Sequence, residues 1–405
     1  MHFRKTWVNN GQFIENASSG ETLVFKVQAN HLYSFAVNTG DRNTVGFYGS
    51  KPKSGDTASY WFYDYMRGNG SFGTGQQFVS PISGYCAIYY SSTDIGDIRG
   101  NVSVYYENAE HVPGYYITHL NAKENTIKLI ESKIGSTREE FAWITDMHIE
   151  SNTNHAPALI NHIMQNTGTD KIFFTGDAYN GVMPKDIAKK TIEMFKKMWP
   201  SKCLDKFYYV VGNHEWNDPS KNRPELRLAE GDLSSLYYWN DSVSKSGLTY
   251  YFDDSTKKVR HICMNCEYDC GVVSESAKAV SMIKSTPDGW TVVLFSHPGT
   301  GEDTSTMHSI WDRMKTVADA LAANASRLKV VGIFSGHIHA DNLFKYSGIN
   351  ICSLTCDSWE QEYGGLTRQK GTITEQAFDI VNIDLINRHV YLTRIGAGSD
   401  REFNY

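Results

Sequence analysis

The chain has 405 residues, a net charge of -6, and 40% hydrophobic against 21% charged residues. At about 150 residues per domain that length implies two or three domains, and the mixture is that of a globular chain rather than a disordered one. The acidic balance argues against long nucleic acid held by a basic surface, and with no run of about 18 apolar residues no transmembrane helix is expected.

The start, Met1-His2-Phe3-Arg4-Lys5-Thr6-Trp7, has charges but no apolar stretch behind them, so no leader peptide is expected. The expectation is a soluble chain without membrane insertion, cytoplasmic or, if released by lysis, extracellular or on a virion. Residues 1–112 then show short β-type runs: Thr22–Val27, Leu32–Val37, Val45–Tyr48, Tyr85–Tyr90 and Val102–Tyr106. Gly, Ser, Asn and Asp clusters separate them, which is turn chemistry, and no helical period intervenes. An all-β sandwich of jelly-roll type is predicted, serving as an accessory domain that binds carbohydrate or a partner. The cluster Tyr60-Trp61-Phe62-Tyr63-Asp64-Tyr65 suits sugar stacking, but strand propensity and sheet packing explain it better.

Residues 113–140 form the connection. Ile117, Leu120, Ile127, Leu129, Ile130 and Ile134 recur at mostly helical spacing, predicting a helix over 117–134. From 141 to 405 the rhythm becomes strand, loop, helix. Near-continuous apolar runs at 141–145, 171–175, 207–211, 291–295 and 330–334 predict strands buried on both faces. Helices are predicted at 155–167, 184–198, 274–285 and 307–325, with Pro184 and Pro200 bracketing the second. The fold class is α/β.

Seven cysteines include a Cys263-x-x-Cys266 pair. Without a second pair at zinc-finger spacing, these read as small buried strand residues rather than a zinc or redox site.

Each of the five strands ends in polar groups suited to a metal. Asp146-Met147-His148 follows the first, Gly176-Asp177 the second, Gly212-Asn213-His214-Glu215 the third, Ser296-His297 the fourth and Gly336-His337-Ile338-His339 the fifth. In open α/β sheets ligands bind outside the carboxyl ends of the strands. Carboxylate, imidazole and amide carbonyl together suit manganese, iron or zinc. Two ions about 3.5–4 Å apart can clamp both oxygens of a phosphoryl displacement. His111, His119, His155, His162, His261 and His308 lie outside this set and are read as structural.

The ordered set Asp-x-His, Gly-Asp, Gly-Asn-His-Glu, lone His and Gly-His-x-His resembles the calcineurin-like metallophosphoesterase superfamily over roughly 141–396. The resemblance implies a four-layer αββα sandwich and a phosphoric ester hydrolase. It implies two divalent ions, manganese first, with iron, zinc or nickel as alternatives. Asp146, His148 and His339 would hold one ion and Asn213, His297 and His337 the other, with Asp177 bridging them. His214 would be a catalytic histidine that is not a ligand, oriented by Asp146, and a metal-bridging hydroxide would be the nucleophile. Asn180 and Glu215 would face the substrate. Purple acid phosphatases have Gly where this chain has His148, and a Tyr where it has Asn180. Ser/Thr protein phosphatases carry Asp-Arg-Gly after Gly-Asp, where this chain reads Ala178-Tyr179-Asn180-Gly181. Both subfamilies are disfavoured.

The function expected is hydrolysis of a phosphodiester or phosphomonoester, on a cell-surface polymer such as teichoic acid. The alternatives are a nuclease or nucleotide phosphatase of the same superfamily, or a virion or cell-surface binding protein, such as a phage tail component, in which the phosphoesterase is auxiliary.

Overall fold

The computed structural model describes most of the chain from Val112 to Tyr405, namely 112–149, 155–183, 185–219, 223–237, 239–240, 247–265, 272–299, 312–357, 365–369 and 371–405, and shorter stretches, mostly strand, between His2 and Ser103. Ten of its strands precede the connection: β1 His2–Arg4, β2 Thr6–Asn9, β3 Gln12–Glu15, β4 Glu21–Val27, β5 Leu32–Phe35, β6 Asn43–Tyr48, β7 Tyr60–Tyr63, β8 Gln76–Val79, β9 Gly84–Tyr90 and β10 Asn101–Ser103. They pair antiparallel in sheets ordered β1-β4-β9-β6-β7, β10-β5-β8 and β2-β3. Phe13, Val24, Tyr48 and Ala87 bury their side chains together. The N-terminal region is therefore β-rich. Tyr65, Val104–Tyr106, His111, Cys266, Cys270 and residues 307–311 lie outside the described residues, as do the side chains of Tyr60–Tyr63.

Helix α1 spans Ile117–Ile134. Its inward stripe is Tyr116, Leu120, Glu124, Ile127 and Ile134, spaced at three to four residues with one longer step. Ile117 and Leu129, expected on that stripe, are exposed at 41% and 72%, because an ideal turn of 3.6 residues carries them onto the outer face. Glu124 is buried among the apolar residues because His162 Nε2 lies 2.7 Å from its carboxylate.

Two six-stranded sheets follow. The first is ordered β13-β12-β11-β20-β21-β22, with β11 Arg138–Ile144, β12 Ile172–Phe174, β13 Phe207–Tyr209, β20 Ala377–Asp384, β21 His389–Gly396 and β22 Arg401–Asn404. The second is ordered β14-β15-β16-β17-β19-β18, with β14 Tyr250–Asp254, β15 Val259–Met264, β16 Thr291–Ser296, β17 Lys329–Ser335, β18 Asn342–Tyr346 and β19 Ile349–Ser353. Strands β11-β12-β13 and β15-β16-β17-β19 run parallel, and antiparallel strands extend both sheets.

The sheets face one another. Phe173 of β12 stacks on Phe295 of β16 at 3.8 Å between ring centroids, and Trp143 of β11 meets Phe334 of β17 edge-on at 4.9 Å. Alternate residues point the other way, as period-two geometry requires. Phe174 thus packs on Phe195 of α3 (Lys185–Lys197), near α2 (Ala156–Asn166), α4 (Ser201–Leu204) and α5 (Glu230–Tyr237). On the second sheet, Ile262, Val292 and Leu294 turn toward α6 (Val272–Lys284) and α7 (Lys315–Asn324), meeting Ala279, Ile283, Val317 and Leu321. Helices thus cover both outer faces of a double sheet, the αββα layering expected. Strands β14, β18 and β20–β22 carry mixed or antiparallel pairings outside the five predicted apolar runs.

Candidate dinuclear metal site

Parallel neighbours place their carboxyl ends side by side, so the loops leaving them meet. Thr175 N donates to Ile144 O at 3.0 Å, Asp146 N to Gly176 O at 2.9 Å, and Gly336 N to His297 O at 2.8 Å. The chain turns sharply there. Asp146, His148, Asp177, His337 and His339 all have positive φ, between 40° and 75°. Such non-glycine conformations cost on the order of 1–3 kcal/mol each and persist where surrounding contacts dictate them. Glycines fill the positions a side chain would block. A Cβ at Gly336 would overlap Thr145 Oγ1 and Asp146 Oδ2, and one at Gly212 would overlap Asp177 Oδ1.

The result is two trios, Asp146/His148/His339 and Asp177/His297/His337, all buried except the half-buried His337, each with its donor atoms within 4.8 Å of one another. Asp146 Oδ1 lies 3.1 Å from His339 Nε2, 3.9 Å from His148 Nε2 and 4.0 Å from His297 Nε2. Within the second trio His297 Nε2 lies 3.0 Å from Asp177 Oδ2, and its 4.0 Å approach to Asp146 Oδ1 makes the two trios abut. Asn213 is 8% exposed.

These residues fit metal ions. His148 Nδ1 and Asn213 Oδ1 are buried without a hydrogen-bond partner, and Asp146 Oδ1 and His297 Nε2 meet only other members of the cluster, His339 Nε2 and Asp177 Oδ2. Buried polar atoms are paired in folded proteins as a rule, and each exception calls for a cause. Here the exceptions cluster, and hard carboxylate and carbonyl oxygens beside imidazoles form a transition-metal donor set.

Protonation tells the same story. Burial disfavours charge on every member. Burial opposes ionisation of Asp177, yet His297 and His214 hold it well below the usual carboxylate range. Burial likewise opposes ionisation of Asp146, but His339 and His297 lower it to about 2. In return, against burial, Asp177 and Asp146 raise His297 to about 9, and Asp146 holds His339 well above the ordinary imidazole value. Burial, with cationic neighbours, lowers His148 to about 3 and His337 to about 4. Two imidazolium protons thus balance two carboxylates, and metal binding would release them.

His214 sits at the rim. Its side chain is 26% exposed, against 2% for the adjacent Asp177. Nδ1 donates to the main-chain carbonyl of Asn180 at 2.6 Å, and its backbone N donates to Asp177 Oδ1 at 3.0 Å. Orientation by Asp146 is therefore corrected. Asp146 Oδ2 accepts from Thr145 Oγ1 at 2.7 Å and His337 N at 3.0 Å, and Oδ1 faces His339. Asn180 acts on His214 through its carbonyl.

Glu215, expected at the substrate, is also corrected. It is fully buried, and its two oxygens accept from Asp177 N (3.0 Å), Ala178 N (2.6 Å), Gly212 N (2.6 Å) and Tyr209 Oη (2.7 Å). It pins the second and third motif loops to each other. Burial and the nearby Asp177 push its pKa up to about 7, against donors that favour the carboxylate. Thr175 went unnoticed in the sequence. Its carbonyl accepts from His297 Nδ1 at 2.6 Å, which leaves Nε2 facing the cage.

Residues 140–341 match the family model described as calcineurin-like phosphoesterase. No curated protein matches the chain. Among solved structures the chain is similar to a dimetal phosphatase from Danio rerio, at 13% identity and TM-score 0.45, covering 66% of this chain and 98% of that one. It is also similar to GAP50, the anchor in the inner membrane complex of Plasmodium, at 12% identity and TM-score 0.44, covering 66% and 89%. A third is phosphopantetheinyl hydrolase from Mycobacterium tuberculosis, at 12% identity and TM-score 0.33, covering 55% and 91%.

Proposed function

Since the chain belongs to the calcineurin-like phosphoesterase family of metal-dependent phosphoester hydrolases, we propose that it cleaves a phosphodiester, or a phosphomonoester, at the two abutting trios. The observation that carries this reading is the pair of adjoining Asp/His trios, with Asn213 Oδ1 also buried without a hydrogen-bond partner. Asp146, His148 and His339 would hold one ion, Asn213, His297 and His337 the other, with Asp177 between them. Two divalent ions, manganese first among candidates, supply when bound the Lewis acidity that makes water nucleophilic near neutral pH and neutralises phosphoryl charge.

The chain's own residues do the rest. His214 Nδ1 is committed to Asn180 O, so Nε2 is the nitrogen that gives a proton to the leaving oxygen. Glu215 keeps Asp177 and His214 in register from below. The β-rich N-terminal region is proposed to retain a polymeric phosphodiester of the teichoic acid type. No described helix is long and apolar enough to cross a membrane.

The test is metal-stripped protein reloaded with manganese and offered bis-p-nitrophenyl phosphate, p-nitrophenyl phosphate, nucleotides and glycerophosphate polymers. Failure to hydrolyse any of them would sink the reading. His214→Ala should retain metal and lose roughly 10²–10⁴ in rate, the scale of a general acid. The loss should be smallest where p-nitrophenol leaves. Equal losses for good and poor leaving groups would contradict proton donation.

A further inference from the structure

The last motif, Gly336–His339, is held by a segment that contributes no metal donor. After β19 the chain runs through Ser353, Leu354, Thr355, Cys356 and Asp357, all buried. Ser353 Oγ donates to the carbonyl of Ala340 at 3.0 Å. Thr355 Oγ1 donates to the carbonyl of His339 at 3.2 Å, and Thr355 N donates to Asp341 Oδ1 at 3.1 Å. Cys356, a fully buried thiol outside any disulfide, hydrogen-bonds the His339 side chain. Asp357 N reaches the carbonyl of Thr145, the residue before Asp146, at 3.0 Å. The segment therefore clamps the last motif and ends against the first.

His339 needs a clamp. Its φ of 51° is a left-handed value that a residue with a Cβ rarely adopts. Its Nε2 faces Asp146 and His148. A ligand imidazole is oriented by the partner of its other nitrogen, which also selects the tautomer. His297 and His214 use main-chain carbonyls for this purpose, Thr175 O and Asn180 O, which no substitution removes. At His339 a side chain, that of Cys356, hydrogen-bonds the ring.

We propose that Thr355 and Cys356 are positioning residues for His339, the threonine fixing its strained backbone and the cysteine its ring, so that together they set the affinity of the Asp146/His148/His339 site. This rests on the dinuclear reading above. A thiol is a weaker hydrogen-bond partner than a carbonyl or carboxylate, so it holds the ring less firmly than Thr175 O holds His297. The Asp146/His148/His339 trio should accordingly be the more readily exchanged of the two sites.

The experiment is calorimetric titration of chelator-stripped full-length protein with Mn²⁺, paired with the visible spectrum of the Co²⁺ form. Wild type should take up two equivalents. Thr355→Val and Cys356→Ala should each weaken one equivalent by roughly 10- to 100-fold, the usual cost of losing such a partner, and leave the other unchanged. The weakened equivalent should be the one that His339→Ala removes, and the Co²⁺ bands of that site should shift. Cys356→Ser, which keeps an acceptor on the same β-carbon, should fall between wild type and Cys356→Ala. If Cys356→Ala does not fold, Thr355→Val and Cys356→Ser decide. Two ions bound at wild-type affinity in these variants would overturn the proposal, as would equal weakening of both equivalents in step with a lower melting temperature of the metal-free protein. Wild type that binds no ion would instead defeat the dinuclear reading itself.

Discussion

The two ends of strand β11 bury carboxylates in opposite ways. At its amino end Glu139 is fully buried, with Lys171 Nζ 2.9 Å from one oxygen, Lys257 Nζ 2.9 Å from the other, and His261 Nε2 at 3.0 Å. Burial opposes its charge, yet His261 and the two lysines hold it below the usual carboxylate range. Just past the carboxyl end, Asp146 and Asp177 are buried as deeply, but no lysine or arginine pairs with them among the described ion pairs. Their compensating charges come from His297 and His339. A lysine beside a carboxylate stays cationic throughout the physiological range, so the first cluster is closed. An imidazole can give up its proton to an incoming cation, so the second is exchangeable. One strand thus ends in a pillar and in a reactive centre, and the kind of base makes the difference.

Removing a carboxylate from each end breaks the comparison most sharply. Asp177→Ala should abolish measurable hydrolysis and lower metal content at both sites if its carboxylate is shared by both ions, as proposed. Elemental analysis beside a rate assay checks this, and normal metal content with normal turnover would show the ligand assignment to be wrong. At the other end, Glu139→Ala should leave metal content and the turnover of folded enzyme intact while destabilising the fold by roughly 3–5 kcal/mol, since it strands the half-buried Lys171 and Lys257 beside the fully buried His261. Denaturant unfolding measures the loss. A variant of unchanged stability but poor activity would mean that the two ends are coupled.

A third buried carboxylate sharpens the same point through pH. Burial pushes Asp357 up to about 7, with Arg368 and the Ala377 N–H, 3.1 Å from Oδ1, pulling it back. A carboxyl group raised in the folded state contributes stability that is complete below its unfolded value near 3.8 and is lost as pH rises through 7. Between pH 4 and 8 the unfolding free energy of wild type relative to Asp357→Asn should therefore fall by roughly 2–4 kcal/mol. A difference independent of pH would show that Asp357 stays ionised, as Glu139 does.

How much of this was legible in the sequence follows from the same contrast. The apolar runs before Asp146, Asp177, Asn213, His297 and His337 announced strands with polar ends, because period and composition are local properties. The helix at 117–134 was legible for the same reason. Contacts between loops were not. Glu215 looks like a group facing solvent at the end of Gly-Asn-His-Glu, and only the approach of Gly176–Ala178, which supplies two backbone N–H groups beside that of Gly212, turns it inward. The partner of His214 is a carbonyl, which no residue type encodes. Thr355 and Cys356 lie sixteen and seventeen positions beyond His339, on the far side of a hairpin formed by β18 and β19, and their role depends on that hairpin's return. Strands β12 and β13 are three residues long rather than five; Thr175 and Val210 make the last bonds to the neighbouring strands, through their N–H groups, before the chain enters the motif loops.

The smallest effect expected concerns what lies before both ends of β11. The predicted boundary near residue 113 cuts close to contacts that the catalytic region needs. Val112 packs on its core, Tyr116 is fully buried, Tyr115 Oη donates to Glu375 Oε2 at 2.8 Å, and Gln376 N donates to Tyr116 Oη at 3.0 Å. A fragment for testing should therefore begin at Val112. It contains Glu139 and its three partners as well as both trios, so it should keep the stability and the small-ester rate of the full chain. On a polymeric phosphodiester it should be slower, because a tethered binding module raises the local concentration of substrate. Comparing kcat/KM of both proteins on bis-p-nitrophenyl phosphate and on a glycerophosphate polymer separates the cases. A loss confined to the polymer assigns polymer retention to the β-rich region. Equal loss on both substrates would place part of the active-site wall in residues 1–111, and no loss on either would leave that region to assembly rather than catalysis.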